Sequence, residues 1–203
     1  MTIFRALATL VSVVMMTAAS GQAFAQRGNF EILFLDQQRV VSESQAGQSI
    51  DSQLRALTEQ VASELQTEQT AIEAETQTLQ TAQATISQEE FGQRYQVLLQ
   101  RAQVHEQMKQ LRQAELQQAR TNAINDLRAQ FEPIAESIFQ RRKGFVLLER
   151  QAVLSADPRG DITDEVIRQL DRAVQTVQVT KPDLQAQLAA AQAAQAAAAP
   201  AEQ

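Results

Sequence analysis

From Gln48 to Glu132 the chain contains no proline and a single glycine, Gly92. Strong helix formers fill the interval, and apolar residues recur in it at helical spacing. Leu54, Leu57, Val61 and Leu65 come first, then Ile72, Leu79 and Ile86 at steps of seven. Little other than long helix satisfies such a stretch. Composition agrees: 33 of the 203 residues are Ala and 34 are Gln, against eight Phe, one Tyr and no Trp. Large apolar side chains are too scarce for a compact interior of this length.

The helical stretch is expected to break once. Ser87-Gln88-Glu89-Glu90 has the capping-box pattern, in which Ser87 accepts from the amide three residues on and Glu90 reaches back. Two helices follow, roughly 42–85 and 88–142, with a tight turn near Thr85–Ser87. The second repeats the 3-4 spacing at Phe91, Tyr95, Leu98 and Ala102, and again at Ile124, Leu127, Phe131, Ile134 and Ile138. Pro133 falls inside this pattern and should bend the helix, because it removes one backbone bond and crowds the preceding turn. Charge favours an antiparallel pairing. Residues 51–90 carry a net −7 and residues 91–143 a net +4, so the two helices attract along their length.

Short apolar runs flank the hairpin: Phe30 to Leu35, Phe145 to Leu148 after Gly144, and a weaker run, Ala152-Val153-Leu154, before the turn Asp157-Pro158-Arg159-Gly160-Asp161. Their lengths and boundaries fit strands. Lying on either side of the hairpin, they meet at its base. Three short strands make a marginal sheet on their own, so pooling them between chains is expected, with Ile32, Phe34, Val146 and Leu148 in the shared body. The fold class is thus mainly α with a small β body: a long antiparallel helical hairpin, a coiled-coil arm, projecting from a short-stranded oligomerisation sheet. An arm of this kind would be about 65 Å long.

The ends have separate characters. Arg5 is the only charge ahead of Arg27, an apolar stretch runs from Ala6 to Ala19, and Ala23-Phe24-Ala25 has the small-x-small form of a signal-peptidase site. Residues 1–25 read as a signal peptide cleaved after Ala25. The remaining division is a β-containing body at 26–41 and 143–179, the arm at 42–142, and an Ala/Gln-rich flexible tail at 180–203. Eleven of the eighteen residues from Ala186 to Gln203 are Ala, which leaves the tail little to pack.

Chemistry is poorly provided for. Without Cys and with only His105, the chain lacks thiol nucleophiles, thiolate metal sites and most triads. His105 stands among polar neighbours, with Lys109 and no ligand at i+4, and reads as solvated helix surface. Glu73, Glu75, Glu89 and Glu90 fit a solvated face and a helix start better than a catalytic pair. There is no Gly-rich phosphate loop, and Arg159-Gly160-Asp161 is a coincidence inside a turn. The reading is no enzyme and no cofactor. The net charge of −6 gives no overall pull toward nucleic acid.

Three segments resemble the OmpH/Skp family of periplasmic chaperones. They are Ile32-Leu33-Phe34-Leu35-Asp36-Gln37-Gln38-Arg39-Val40-Val41 with Ser44-Gln45-Ala46-Gly47, then Pro133-Ile134 with Ile138, Gly144 and Phe145-Val146-Leu147-Leu148, and finally Asp161-Ile162-Thr163-Asp164-Glu165-Val166-Ile167. With the hairpin between them, the likeness spans about residues 30–172. The resemblance implies a homotrimer: a β body joins three subunits whose hairpins enclose a cavity. It also implies an ATP-independent holdase for unfolded outer-membrane proteins crossing the periplasm. Family members are often basic, whereas this chain is acidic, so membrane or lipopolysaccharide contact is not expected of it. Ile86, Phe91, Tyr95 and Leu98 near the arm tip either close the hairpin's own end or touch clients. A coiled-coil spacer or adaptor of the cell envelope is the alternative function. An efflux-type adaptor would need larger β domains on both sides of the hairpin than this chain has.

Overall fold

The structure is a computed structural model that describes residues 31–198. The expected signal peptide and its cleavage site lie outside the described residues. Strand β1 (Glu31–Leu35) leads into helix α1 (Gln37–Glu43) and helix α2 (Gln45–Ala82). Helix α3 (Gln88–Arg141) returns to strand β2 (Gly144–Glu149). After two 3-10 turns come helix α4 (Thr163–Ala173) and helix α5 (Leu184–Ala198). The two strands pair in parallel, with Ile32 opposite Val146 and Phe34 opposite Leu148. Parallel strands need a long crossover, and here the hairpin of α2 and α3 is that crossover.

Caps decide where the helices begin. Asp36 accepts from Arg39 N at 2.9 Å and opens α1. Helical backbone therefore starts at Gln37, ahead of the expected 42. Ser44, fully buried, ends α1 with an extended backbone (ψ 152°) and caps α2 by accepting from Gly47 N at 3.1 Å. Gly47 is obligatory at this joint, since a Cβ there would stand 1.6 Å from the Val41 carbonyl oxygen. At the tip Ser87 accepts from Glu90 N at 3.2 Å, as expected. The Glu90 carboxylate turns instead to Arg94 Nη2, 2.6 Å away. Helix α3 continues through Pro133, with Phe131 and Ala135 buried on either side of it. It ends at Arg141, and Lys143 in the turn that follows adopts a left-handed backbone (φ 54°).

The main core lies at the base of the arm. Leu33 and Leu35 from β1, Val40 from α1, Ile50 from α2, and Leu127, Phe131 and Ile138 from α3 pack there. Ile162, Val166 and Leu170, three residues at steps of four, bring α4 over this cluster and close it. The base therefore has an interior within one chain. Pooling strands with other chains is not what supplies that interior.

Two differences from the expected layout concern the β body and the tail. Ala152-Val153-Leu154 forms no strand: Arg150–Ala152 is a 3-10 turn and Leu154 is fully exposed. The third position beside β1 is taken by Asp161, which bridges to Phe34, while Ile162 N donates to Phe34 O at 3.0 Å. The segment from Thr180, expected to be a flexible or transiently helical extension, is held to the arm at Lys181 ahead of the helix Leu184–Ala198. An ion pair to the arm, absent from any local pattern, makes that difference.

Candidate functional site

Helices α2 and α3 form the arm, and its two halves are built differently. Toward the tip, Ile72, Leu79 and Leu98 are buried with Ile86, Phe91 and Ala102 packed against them. This small cluster joins α2 to α3 and closes the hairpin. Of the four residues expected near the tip, Leu98 is 5% exposed and belongs to that closure, as do Ile86 and Phe91. Tyr95 differs. It is 45% exposed and stacks on Phe91, with centroids 6.1 Å apart and planes 6° from parallel.

Leu99, one turn after Tyr95, is exposed on the same side of α3, and Val97 and Val104, seven residues apart, are exposed on the opposite side. None of the three was singled out from the sequence. Their positions fall off the 3-4 seam, which is the signal that could have found them. Val97 and Val104 border a cleft between α2 and α3 of about 550 Å³, which Leu65, Met108 and the buried His105 also line. His105 is 6% exposed, not solvated as expected. It lies seven residues after Leu98, so the helical repeat carries it onto the seam facing α2, whatever the polarity of its sequence neighbours. Glu68 and Arg101 share that cleft.

Attraction between the oppositely charged helices is concentrated at Arg101. Its Nε lies 2.7 Å from Glu68 Oε1 and its Nη1 2.8 Å from Glu75 Oε2. The Arg101 hydrogen bonds hold the Glu68 carboxyl below its ordinary range. Most of the other ion pairs along the arm join residues three or four apart on one helix.

A second polar point lies nearer the base. Glu115 on α3 is 1% exposed, and its carboxylate accepts from Arg112 Nη1 at 2.7 Å and Lys181 Nζ at 2.6 Å. Leu184 N completes the set at 3.4 Å. Burial raises its pKa, but the Lys181 and Arg112 hydrogen bonds outweigh this and hold it below the ordinary carboxylate value. Glu115 falls four residues before Ala119 on the buried stripe of α3, so helical phase accounts for its burial, whereas Lys181 follows no pattern that a single sequence reveals.

In the β body, Ile32, Phe34, Val146 and Leu148 share one sheet face, as their paired register requires. Ile32 is 55% exposed, Leu148 is exposed and Val146 half-buried. Phe34 is not available with them. Its ring lies under the Arg150 guanidinium at 5.3 Å and against Gly160, and it is 3% exposed. The chain covers Phe34 because β1 has neighbours on both sides, β2 and the Asp161 bridge. Among the described residues no group of three or more His, Asp or Glu side chains is placed to hold a metal.

A family model described as outer membrane protein (OmpH-like) matches residues 31–170, from the first residue of β1 to the last buried leucine of α4. The chain belongs to the OmpH-like family. A crystal structure of a candidate OmpH-like outer membrane chaperone from Caulobacter crescentus superposes with a TM-score of 0.72 at 30% identity. The match covers 75% of this chain and 90% of that one. No curated protein matches the sequence. Membership supports a chaperone role for this OmpH-like chain, and the long hairpin on a small sheet is the fold the two proteins share. The chain after Ala173 lies beyond the residues the family model matches.

Proposed function

We propose that this protein is an ATP-independent periplasmic holdase that binds unfolded outer-membrane proteins and keeps them from aggregating. The exposed apolar side chains of the distal arm, Tyr95 and Leu99 on one face and Val97 and Val104 on the opposite one, carry this reading. Outer-membrane strands alternate apolar and polar residues. Scattered apolar side chains among Gln and paired charges offer them many weak contacts, so release needs no fuel. Family membership supports a non-enzymatic role of this kind.

The sheet face with Ile32, Val146 and Leu148 supports assembly of the β bodies into a homotrimer, with the arms enclosing the client. Signal-peptide cleavage after Ala25 would deliver the chain to the periplasm. The domain division follows: leader at 1–25, body at 26–41 and 143–179, arm at 42–142, and tail from 180. An acidic surface makes anionic lipid and lipopolysaccharide poor ligands.

The test is light scattering from an unfolded outer-membrane barrel diluted into buffer with and without the purified chain. Suppression without nucleotide is expected, together with a trimer mass in solution. Replacing Tyr95, Val97 and Val104 by Ser should weaken suppression while helicity stays intact. Unchanged aggregation with the native protein would reject the holdase and favour an envelope spacer. Full suppression by the triple variant would reject these side chains as the contact.

A further inference from the structure

After α4 the chain turns back along the arm, beyond the residues the family model matches. Burial alternates along this strap: Val177 is 8% exposed, Gln178 exposed, Val179 half-buried, Thr180 exposed and Lys181 half-buried. That is the period of a strand with one face covered. Yet no strand lies beside it. Its partner is the side chain of Gln53 on α2. Gln53 Nε2 donates to Val177 O at 2.8 Å, and Gln53 Oε1 accepts from Val179 N at 3.0 Å.

A carboxamide offers the same donor and acceptor as a peptide group, so Gln53 stands in for one rung of a sheet ladder. Ser49 orients it, because Gln53 Nε2 also donates to Ser49 Oγ at 3.0 Å. Other arm glutamines spend their amides within their own helix, such as Gln60 on Glu64 and Gln69 on Glu73. Beyond the rung, Lys181 and Leu184 N latch the strap to the buried Glu115.

We infer that the face of the arm around Gln53 is a binding site for extended polypeptide, occupied in cis by Val177–Lys181 and open in trans to a client strand. The recognised features are a carbonyl, an N–H two residues later, and an apolar side chain directed at the arm. Any extended segment of alternating apolar and polar residues supplies these, and an unfolded barrel strand does so repeatedly. The strap's own alternation fits it to be the resident stand-in. The ligand class rests on the holdase reading, whereas the cis-occupied site rests on the strap geometry alone.

The decisive experiment uses the full chain and a fluorescent peptide of residues 174–184. Val177→Asp with Lys181→Glu unlatches the strap by burying one charge and repelling Glu115. This variant should bind the peptide about tenfold more tightly than the unaltered chain, equivalent to one strand-like contact set freed. Adding Gln53→Leu should cancel the gain. A barrel-strand peptide should compete, and the same peptide with Pro at the position matching Val179 should not, having no N–H to donate. Equal affinity in unlatched and unaltered chains, or indifference to Gln53→Leu, would overturn the site.

A second measurement needs no variant. Amide exchange at Val179 in the unaltered chain should speed up at saturating unfolded barrel protein. Protection unchanged under conditions where aggregation is suppressed would sink the trans-occupied site and leave the holdase standing. Failure of suppression itself would remove the holdase, and the peptide assay would still decide whether the cis site exists.

Discussion

Replacing Glu115 by Gln tests whether the buried carboxylate fastens the strap to the arm. The side chain keeps its volume, so packing is little changed and the effect reads as electrostatics. Removing one partner of a fully buried pair costs about 3–5 kcal/mol, and an exposed pair is worth about 0–1. This site lies between those limits. Glu115 is 1% exposed, but Arg112 and Lys181 keep 26% and 25% of their side-chain exposure. Each cation can turn toward water when the carboxylate is neutralised. Gln can still accept from Leu184 N, although its own N–H groups then face two cations. A loss of about 2 kcal/mol follows. Lys181→Met should cost less, about 1 kcal/mol, because Arg112 remains on the carboxylate. Native-state amide exchange of residues 177–184, beside urea unfolding followed by circular dichroism, reads both values. The reasoning fails if Glu115→Gln leaves strap protection within about 0.5 kcal/mol of the unaltered chain, the range of ordinary surface changes. It fails equally if Lys181→Met is the more damaging of the two.

Two further outcomes are expected. Gly47→Ala should disrupt the joint between α1 and α2, because the added methyl meets backbone and no side chain can yield; a melting point within a degree or two of the unaltered protein would contradict this. Lowering pH should release the strap. The folded Glu115 has a pKa below its ordinary 4.5, so its stabilisation is complete above that value and is lost as pH falls through the folded pKa. Strap protection, corrected for intrinsic exchange, should therefore be constant from pH 7 to about 5 and fall only at lower pH. Loss between pH 7 and 5 would point to a different group.

The proline-free stretch from Gln48 to Glu132, the apolar steps of seven and the Ser87 cap were sufficient to read the hairpin and its turn, and the apolar runs beside it gave both strands along with a third, Ala152–Leu154, that does not form. These are local properties: propensity, period and capping act over one or two turns of chain, and one sequence displays them in full. The closing role of α4 was not read there, although the steps of four from Ile162 to Leu170 carry that signal. What local pattern could not decide was which surface each residue meets. His105 looked solvated beside its polar neighbours, yet helical phase placed it on the seam. Phe34 looked available for assembly until Arg150 and Gly160 covered it. Gln53, Glu115 and Lys181 make contacts that join segments lying far apart along the chain. Local order is encoded residue by residue, whereas a hydrogen bond between distant segments exists only after the whole chain has packed. The arm was therefore legible from the sequence, and the strap that lies against it came only with the tertiary structure.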